Sequence, residues 1–194
     1  MTLEQNGLVR LNSVSSWVAA GVCLGLLAAA GCVSEERKKK ADGYYQEGVA
    51  VLNTDQQSAY VAFEKALKEN PRHRDAHYYV AFIYANQEKF DQAEAEIREA
   101  IRTDPDYPDA YNFLGQVLIK QNRRQEAIAA FQKAVSYSLY STPDVAYYQL
   151  GLALEMEGDM QNAKQAFEDA LKVTPPNVPQ GMVYLELGRV HYKL

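Results

Sequence analysis

Ala59, Phe63 and Ala66 recur 34 residues later as Ala93, Ile97 and Ala100, and 34 later again as Ala127, Phe131 and Ala134. A further 36 residues brings Ala163, Phe167 and Ala170. Within each set the spacings of 4 and 3 place all three side chains on one helix face. A fixed period between about 20 and 50 residues is the mark of a repeat architecture, in which each unit buries its apolar face only by stacking on its neighbours. The repeat excludes most folds before composition is considered.

Upstream of each set a second helical segment carries its own small residue, Gly48, Ala81, Gly115 or Gly151. Glycine inside a helix costs about 1 kcal/mol, so its recurrence predicts close approach of a neighbouring helix. Asn70-Pro71, Asp104-Pro105 and Thr174-Pro175 end the sets, because proline cannot continue a helix. Mid-helix glycines, recurrent prolines and the absence of heptads argue against a coiled coil. The unit Arg74 to Tyr107 (RDAHYYVAFIYANQEKFDQAEAEIREAIRTDPDY) and its three companions resemble the tetratricopeptide repeat (TPR). That resemblance implies an all-α, right-handed superhelical solenoid of antiparallel helix pairs, placed at residues 41–194 as about four repeats and a C-terminal helix.

Three departures stand out. The turn Asn53-Thr54-Asp55 is one residue shorter than its counterparts, and Leu139 replaces the proline expected after the third unit. There the insertion SLYSTPDVAYYQLG lengthens the pitch by two. Gly181 to Leu194 (GMVYLELGRVHYKL) reads as the first helix of a fifth unit, apolar almost all round. Terminal solenoid helices carry a polar outer face, so this one is expected either to belong to a truncated chain or to be covered by a partner.

Val18 to Gly31 is an apolar run of 14 residues, short for a transmembrane helix but suited to a signal-peptide core. It ends in Ala29-Ala30-Gly31 followed by Cys32, which resembles a bacterial lipobox. A plain secretory signal and an uncleaved anchor are the alternatives. The lipobox resemblance implies a signal peptide over 1–31, acyl chains such as palmitate on Cys32, and a charged tether over 32–40 (CVSEERKKK). Two departures are Ala29, where lipoboxes favour Leu, and the weak n-region, with Arg10 as its only cation. A translation start near Val9 or Arg10 would give a tidier signal. Val33 after the cysteine favours the outer membrane by the same resemblance.

A net charge of −5 provides no basic field for nucleic acid. The two cysteines, Cys23 and Cys32, both lie in the N-terminal segment, so the remainder can hold no intramolecular disulfide, and with neither a C-x-x-C nor a Cys/His cluster the zinc and iron–sulfur readings lack ligands. No nucleophile, phosphate-loop or metalloprotease motif occurs. His77 falls where the other units have Tyr44, Tyr111, Tyr147 and Tyr184, which points to packing. These features predict a non-enzyme with no cofactor beyond acyl chains, no metal and no small-molecule substrate.

A solenoid of this kind holds a protein partner in the concave groove lined by the first helix of each pair. The repeat phase predicts a lining of Tyr45, Val49, Leu52, Tyr78, Phe82, Ala85, Asn112, Gln116, Ile119, Tyr148 and Leu152, apolar and tyrosine-rich near the lipid and more polar in the middle. Tyr45 and Val49 stand where a carboxylate clamp would need Lys and Asn. The 14 Tyr against 6 Phe and 1 Trp suit an interface, since tyrosine joins a large apolar body to one hydrogen-bonding tip.

An exported lipoprotein made almost wholly of such repeats, with SLYSTPDVAYYQLGLALEMEGD after the third, resembles the pilotins of type IV pili. The resemblance implies an outer-membrane lipoprotein that binds secretin subunits and promotes their assembly in pilus biogenesis and the motility that depends on it. Such pilotins usually have about six repeats, more than are found here. The rivals are a periplasmic adaptor lipoprotein scaffolding cell-wall hydrolases or another envelope machine, and a targeting subunit for a separate enzyme.

Overall fold

The structure, a computed structural model, describes residues 33–194. The segment read as a signal peptide, and Cys32, lie outside the described residues. Four helix pairs follow one another: α1 (Glu35–Val51) with α2 (Gln56–Glu69), α3 (Arg74–Asn86) with α4 (Phe90–Thr103), α5 (Pro108–Lys120) with α6 (Arg124–Val135), and α7 (Pro143–Met156) with α8 (Met160–Leu171). A single helix, α9 (Gln180–Lys193), completes the described chain. Each helix packs on the next, and first helices also approach one another, α5 against α7 and α7 against α9. That approach puts the first helices on the inside of the curve.

Local chemistry sets the boundaries. Asp55 caps α2 by accepting from the Gln57 and Ser58 amides at 3.0 Å, and Asp159 caps α8 through the Asn162 amide at 3.2 Å. Pro108 and Pro143 open α5 and α7, where a missing N–H leaves no bond unmade. In three of the four pairs the turn contains one left-handed residue, Glu88 (φ 59°), Asn122 (φ 62°) or Gly158 (φ 83°). The first turn, Leu52–Asp55, is the one shortened by a residue, and it has no left-handed position.

The core repeats with the sequence. Phe63, Phe131 and Phe167 on the second helices are fully buried, each flanked by buried alanines. Their rings lie against Gly48, Gly115 and Gly151 of the first helices. Close approach was expected at these glycines, and the approaching group is an aromatic ring. In the second pair the same register holds Ala81 and Ile97, the smaller side chain on one helix matching the larger on the other.

The charged stretch expected to act as a tether is helical. Ser34 caps α1 by accepting from the Arg37 amide, and Glu35 and Glu36 occupy the first turn, where the helix dipole favours anions. Arg37 reaches Glu69 at 3.2 Å and donates to the Lys68 carbonyl at 2.7 Å; Lys40 pairs with Glu69 at 2.7 Å. The two cations hold the Glu69 carboxyl below its usual range. The solenoid therefore begins at Ser34 rather than at residue 41.

At the insertion, Leu139 is almost fully exposed while Tyr140 turns in against Ala134 and Ala146. Asp144, in the first turn of α7, is 1% exposed. It accepts from the Asn177 amide (2.5 Å), the Val178 amide (2.7 Å) and the Asn177 side chain (2.9 Å), clamping the loop between α8 and α9. Burial would raise the Asp144 pKa, but these donors outweigh it and the net shift is downward.

Candidate protein-binding groove

Aromatic rings run along the inner face of the first helices. Tyr45 of α1 contacts Phe63 (6.0 Å between centroids), His73 (4.9 Å) and Tyr79 (6.0 Å), while Tyr79 stacks on Phe63 at 5.4 Å. Burial, aided by the nearby Asp75 carboxylate, pushes the Tyr45 hydroxyl up to about 12. Tyr78 of α3 packs on Tyr107 (5.6 Å) and Phe113 (5.4 Å), and its hydroxyl is likewise pushed up, chiefly by burial. Phe82 meets Phe113 at 6.3 Å.

Beyond that last contact lies a cavity of about 210 Å³ lined by Phe82, Ala85, Asn86, Phe90, Phe113, Gln116, Val117 and Lys120. A cavity of about 150 Å³ accommodates benzene, so this one has room for a single large apolar side chain. Lys120 and Asn86 supply its polar edge. Close by on α5, Asn112 is 8% exposed and its Oδ1 has no hydrogen-bond partner.

Charges frame the ends of the groove. His73 caps α3 by accepting from the Ala76 amide through Nδ1, so its proton sits on Nε2, which faces Asp42 at 3.2 Å. Arg74 lies over the Tyr107 ring at 4.7 Å and pairs with Asp104. Burial raises the Asp109 carboxyl. On α7, Glu155 is gripped by Lys193 (2.7 Å) and Arg189 (3.4 Å) of α9.

The sequence-predicted lining residues therefore divide. Phe82, Ala85 and Gln116 meet in one pocket. Tyr45, Val49 and Leu52 are half-buried against the core formed by α1 to α3, and Tyr78, Ile119, Tyr148 and Leu152 pack against the larger core beyond it. Tyr148 contacts Phe167 at 5.8 Å. Asn112 sits below the surface rather than on it. The middle of the groove, expected to be more polar than its start, holds this pocket, where Phe82, Phe90, Phe113 and Val117 stand beside Asn86, Gln116 and Lys120. Phe113 went unpredicted although Tyr79, its counterpart in the preceding unit, carried the signal: an aromatic one position after the assumed lining residue in both units.

His77 makes no catalytic constellation. Its Nδ1 lies 2.7 Å from Glu96 and its Nε2 3.2 Å from the Pro71 carbonyl oxygen, which ties α3 to α4. Among the described residues no cluster of His, Cys, Asp or Glu could hold a metal, and no helix is long and apolar enough to cross a membrane.

Tetratricopeptide-repeat models match residues 50–102, 81–146 and 145–177. No curated protein sequence matches the chain. Among solved structures, Pseudomonas aeruginosa PilF is similar, with TM-score 0.74 and 29% identity over 82% of this chain and 71% of that one. PilW, described as a widely conserved type IV pilus biogenesis factor, has TM-score 0.70 and 26% identity over 79% of this chain and 69% of that one. MamA, at TM-score 0.67 and 24% identity over 78% and 81% of the two chains, shares the fold. With its four helix pairs, their small-residue contacts and three model matches spanning them, the chain belongs to the tetratricopeptide-repeat family.

Proposed function

We propose that this protein is a non-enzymatic, lipid-anchored scaffold of the bacterial envelope that captures secretin subunits in its groove and promotes their assembly in the outer membrane during type IV pilus biogenesis. The observation that carries this reading is the aromatic groove with its Phe82–Phe113 pocket, on a solenoid similar to PilF and PilW. A groove of half-buried rings gives apolar area at little entropic cost, and a pocket for one side chain fixes the register of what it holds.

The start of α1 bears on the anchor. Only Val33 and Ser34 separate Cys32 from the helix, a reach of about 10 Å over three residues. Acyl chains on Cys32 would thus hold α1 at the bilayer surface, whereas the longer charged tether would have stood the groove off from it.

Deletion of the gene, followed by immunoblotting for heat-resistant secretin multimers, tests the assignment. Loss of multimers, restored by the wild-type gene and not by a Cys32→Ser copy that no longer incorporates labelled palmitate, is the expected result. Unchanged multimers would refute the secretin role and leave the adaptor and targeting alternatives.

A further inference from the structure

The first helix pair gathers positive charge on one face. The Arg37 guanidinium stands 3.2 Å from the Glu69 carboxylate and the Lys40 ammonium 2.7 Å from it, and Arg37 also donates to the Lys68 carbonyl at 2.7 Å. Lys40 and Lys65 lie over the Tyr44 ring, 5.9 and 5.5 Å from its centroid. Lys65 and Lys68 share a shallow cleft with Val61 and Glu64 on the exposed side of α2. The Glu69 side chain is 19% exposed while those of Arg37 and Lys40 stay 51% and 55% exposed. The carboxylate thus fixes the two cations from beneath, and the charge presented outward is positive.

Residues 35–40 and 61–72, which contain this face, carry seven Lys or Arg against four Glu, a net +3 in a chain whose total is −5, leaving −8 for the rest. The charge is therefore segregated, and the positive end includes the helix that starts just after Cys32, with only Val33 and Ser34 between. An acyl anchor at one point limits the distance of the solenoid from a bilayer but leaves its orientation free. A cationic face beside the anchor removes that freedom, because juxtamembrane Lys and Arg are drawn to anionic headgroups within a Debye length of about 10 Å while the acidic remainder is repelled.

We propose that the face bearing Arg37, Lys40, Tyr44, Lys65 and Lys68 lies against the anionic phospholipid headgroups of the membrane that holds Cys32, and so sets the orientation of the solenoid on it; this rests on the anchored reading given above. Basic groups of this density could also draw an acidic protein segment. Only a bilayer, however, is brought to this face by the chain itself, through an anchor that directly precedes α1. Tyr44, held between two ammonium groups, suits the same boundary, since its ring is apolar and its hydroxyl polar.

The test uses the mature acylated chain, its acyl mass confirmed by mass spectrometry, in vesicles of phosphatidylcholine alone or with about one-third phosphatidylglycerol. A fluorophore is attached at Val61→Cys, beside the patch, or at Gln161→Cys, in the first turn of α8, and its quenching by a nitroxide on the lipid headgroup is read. Quenching at Val61 should be at least about threefold stronger in the anionic vesicles, the gain should vanish in about 0.5 M salt, and Gln161 should show none. Lys65→Glu with Lys68→Glu takes the net +3 to −1 and should abolish the gain, while leaving Arg37 and Lys40 on Glu69. The Gln pair at the same positions, a milder change, should give an intermediate loss at an unchanged melting temperature. Absence of acyl mass on Cys32 would overturn the anchored reading and this orientation with it. In an acylated protein, quenching at Val61 that ignores phosphatidylglycerol, or that survives the charge reversal, would overturn the orientation alone.

Discussion

A Cβ added to Gly115 would stand 2.5 Å from Cε1 of Phe131, a ring fully buried between α5 and α6. Glycine and ring form one packing unit, and at the same register in the second pair Ala81 faces Ile97. The pairing explains why a residue unfavourable to helices recurs in mid-helix: the lost propensity is offset by a ring in close contact with backbone.

Gly115→Ala should therefore destabilise the fold. Alanine regains about 1 kcal/mol of helix propensity, but forcing a methyl into a packed core costs about 1 to 3 kcal/mol, and a fully buried ring has no room to yield. A net loss of up to about 2 kcal/mol is expected in urea unfolding. Gly115→Ala combined with Phe131→Ile, which reproduces Ala81 and Ile97, should recover part of it. A double-mutant cycle without coupling would contradict the paired reading.

How much of this was legible follows from what periodicity can carry. Phe63, Ile97, Phe131 and Phe167 recur at one register, so their burial and the helix pairs could be read directly. Arg37 and Lys40 could not be placed the same way: their partner Glu69 lies 32 and 29 residues away, and a run of charge reads as a solvated tether until α2 is folded beside α1. The groove was legible as a stripe of first-helix positions and not as a pocket. Phe90 enters from the start of α4 and Phe113 from one position round α5, and no single-helix phase joins them. Asp144, after a proline, reads as an ordinary helix-start acid; its clamp on Asn177 depends on the loop two helices later.

His77 should give the solenoid a dependence on pH. Burial opposes its protonation, but the hydrogen bond to Glu96 and the Pro71 carbonyl outweigh it, and the folded pKa is raised above 6.5. Both ring nitrogens face acceptors, so the bound form is the imidazolium. With the folded value raised, this stabilisation is fully present below the unfolded pKa and is lost as pH rises through the folded one. Urea midpoints should fall across that window in the wild type, and the fall should be smaller in His77→Tyr, which installs the residue found in the other units. Equal slopes in the two proteins would exclude His77 as the source.

Asp144 has the opposite sign. Its folded pKa is depressed, so its contribution is present above the unfolded carboxylate pKa and lost as pH falls through the folded value. Asp144→Ala removes three hydrogen bonds to a buried charge and frees the loop that carries α9. A loss of about 2 to 3 kcal/mol is expected, with amide exchange accelerated first at Asn177 and Val178. Exchange that quickens equally throughout the chain would mean that the clamp does not act locally.

The groove pocket can be tested without touching the core. Tyr45 contacts Phe63, His73 and Tyr79, so Tyr45→Ala would remove packing along with any partner contact and confound the result. Ala85 is half-buried on the pocket wall, and Gln116 faces it from α5. Ala85→Leu and Gln116→Phe extend apolar volume into open space, so melting temperature should be unchanged while a side chain that enters the pocket is excluded. If a partner segment anchors there, its affinity should fall by about tenfold or more in the double variant, the loss of roughly one buried anchor. Lys120→Glu should leave an apolar anchor's fit intact and weaken only a partner with an acidic group beside it. Undiminished capture by the filled pocket would move the partner's anchor elsewhere along the ring-lined face, to Tyr45 on one side or Tyr148 on the other.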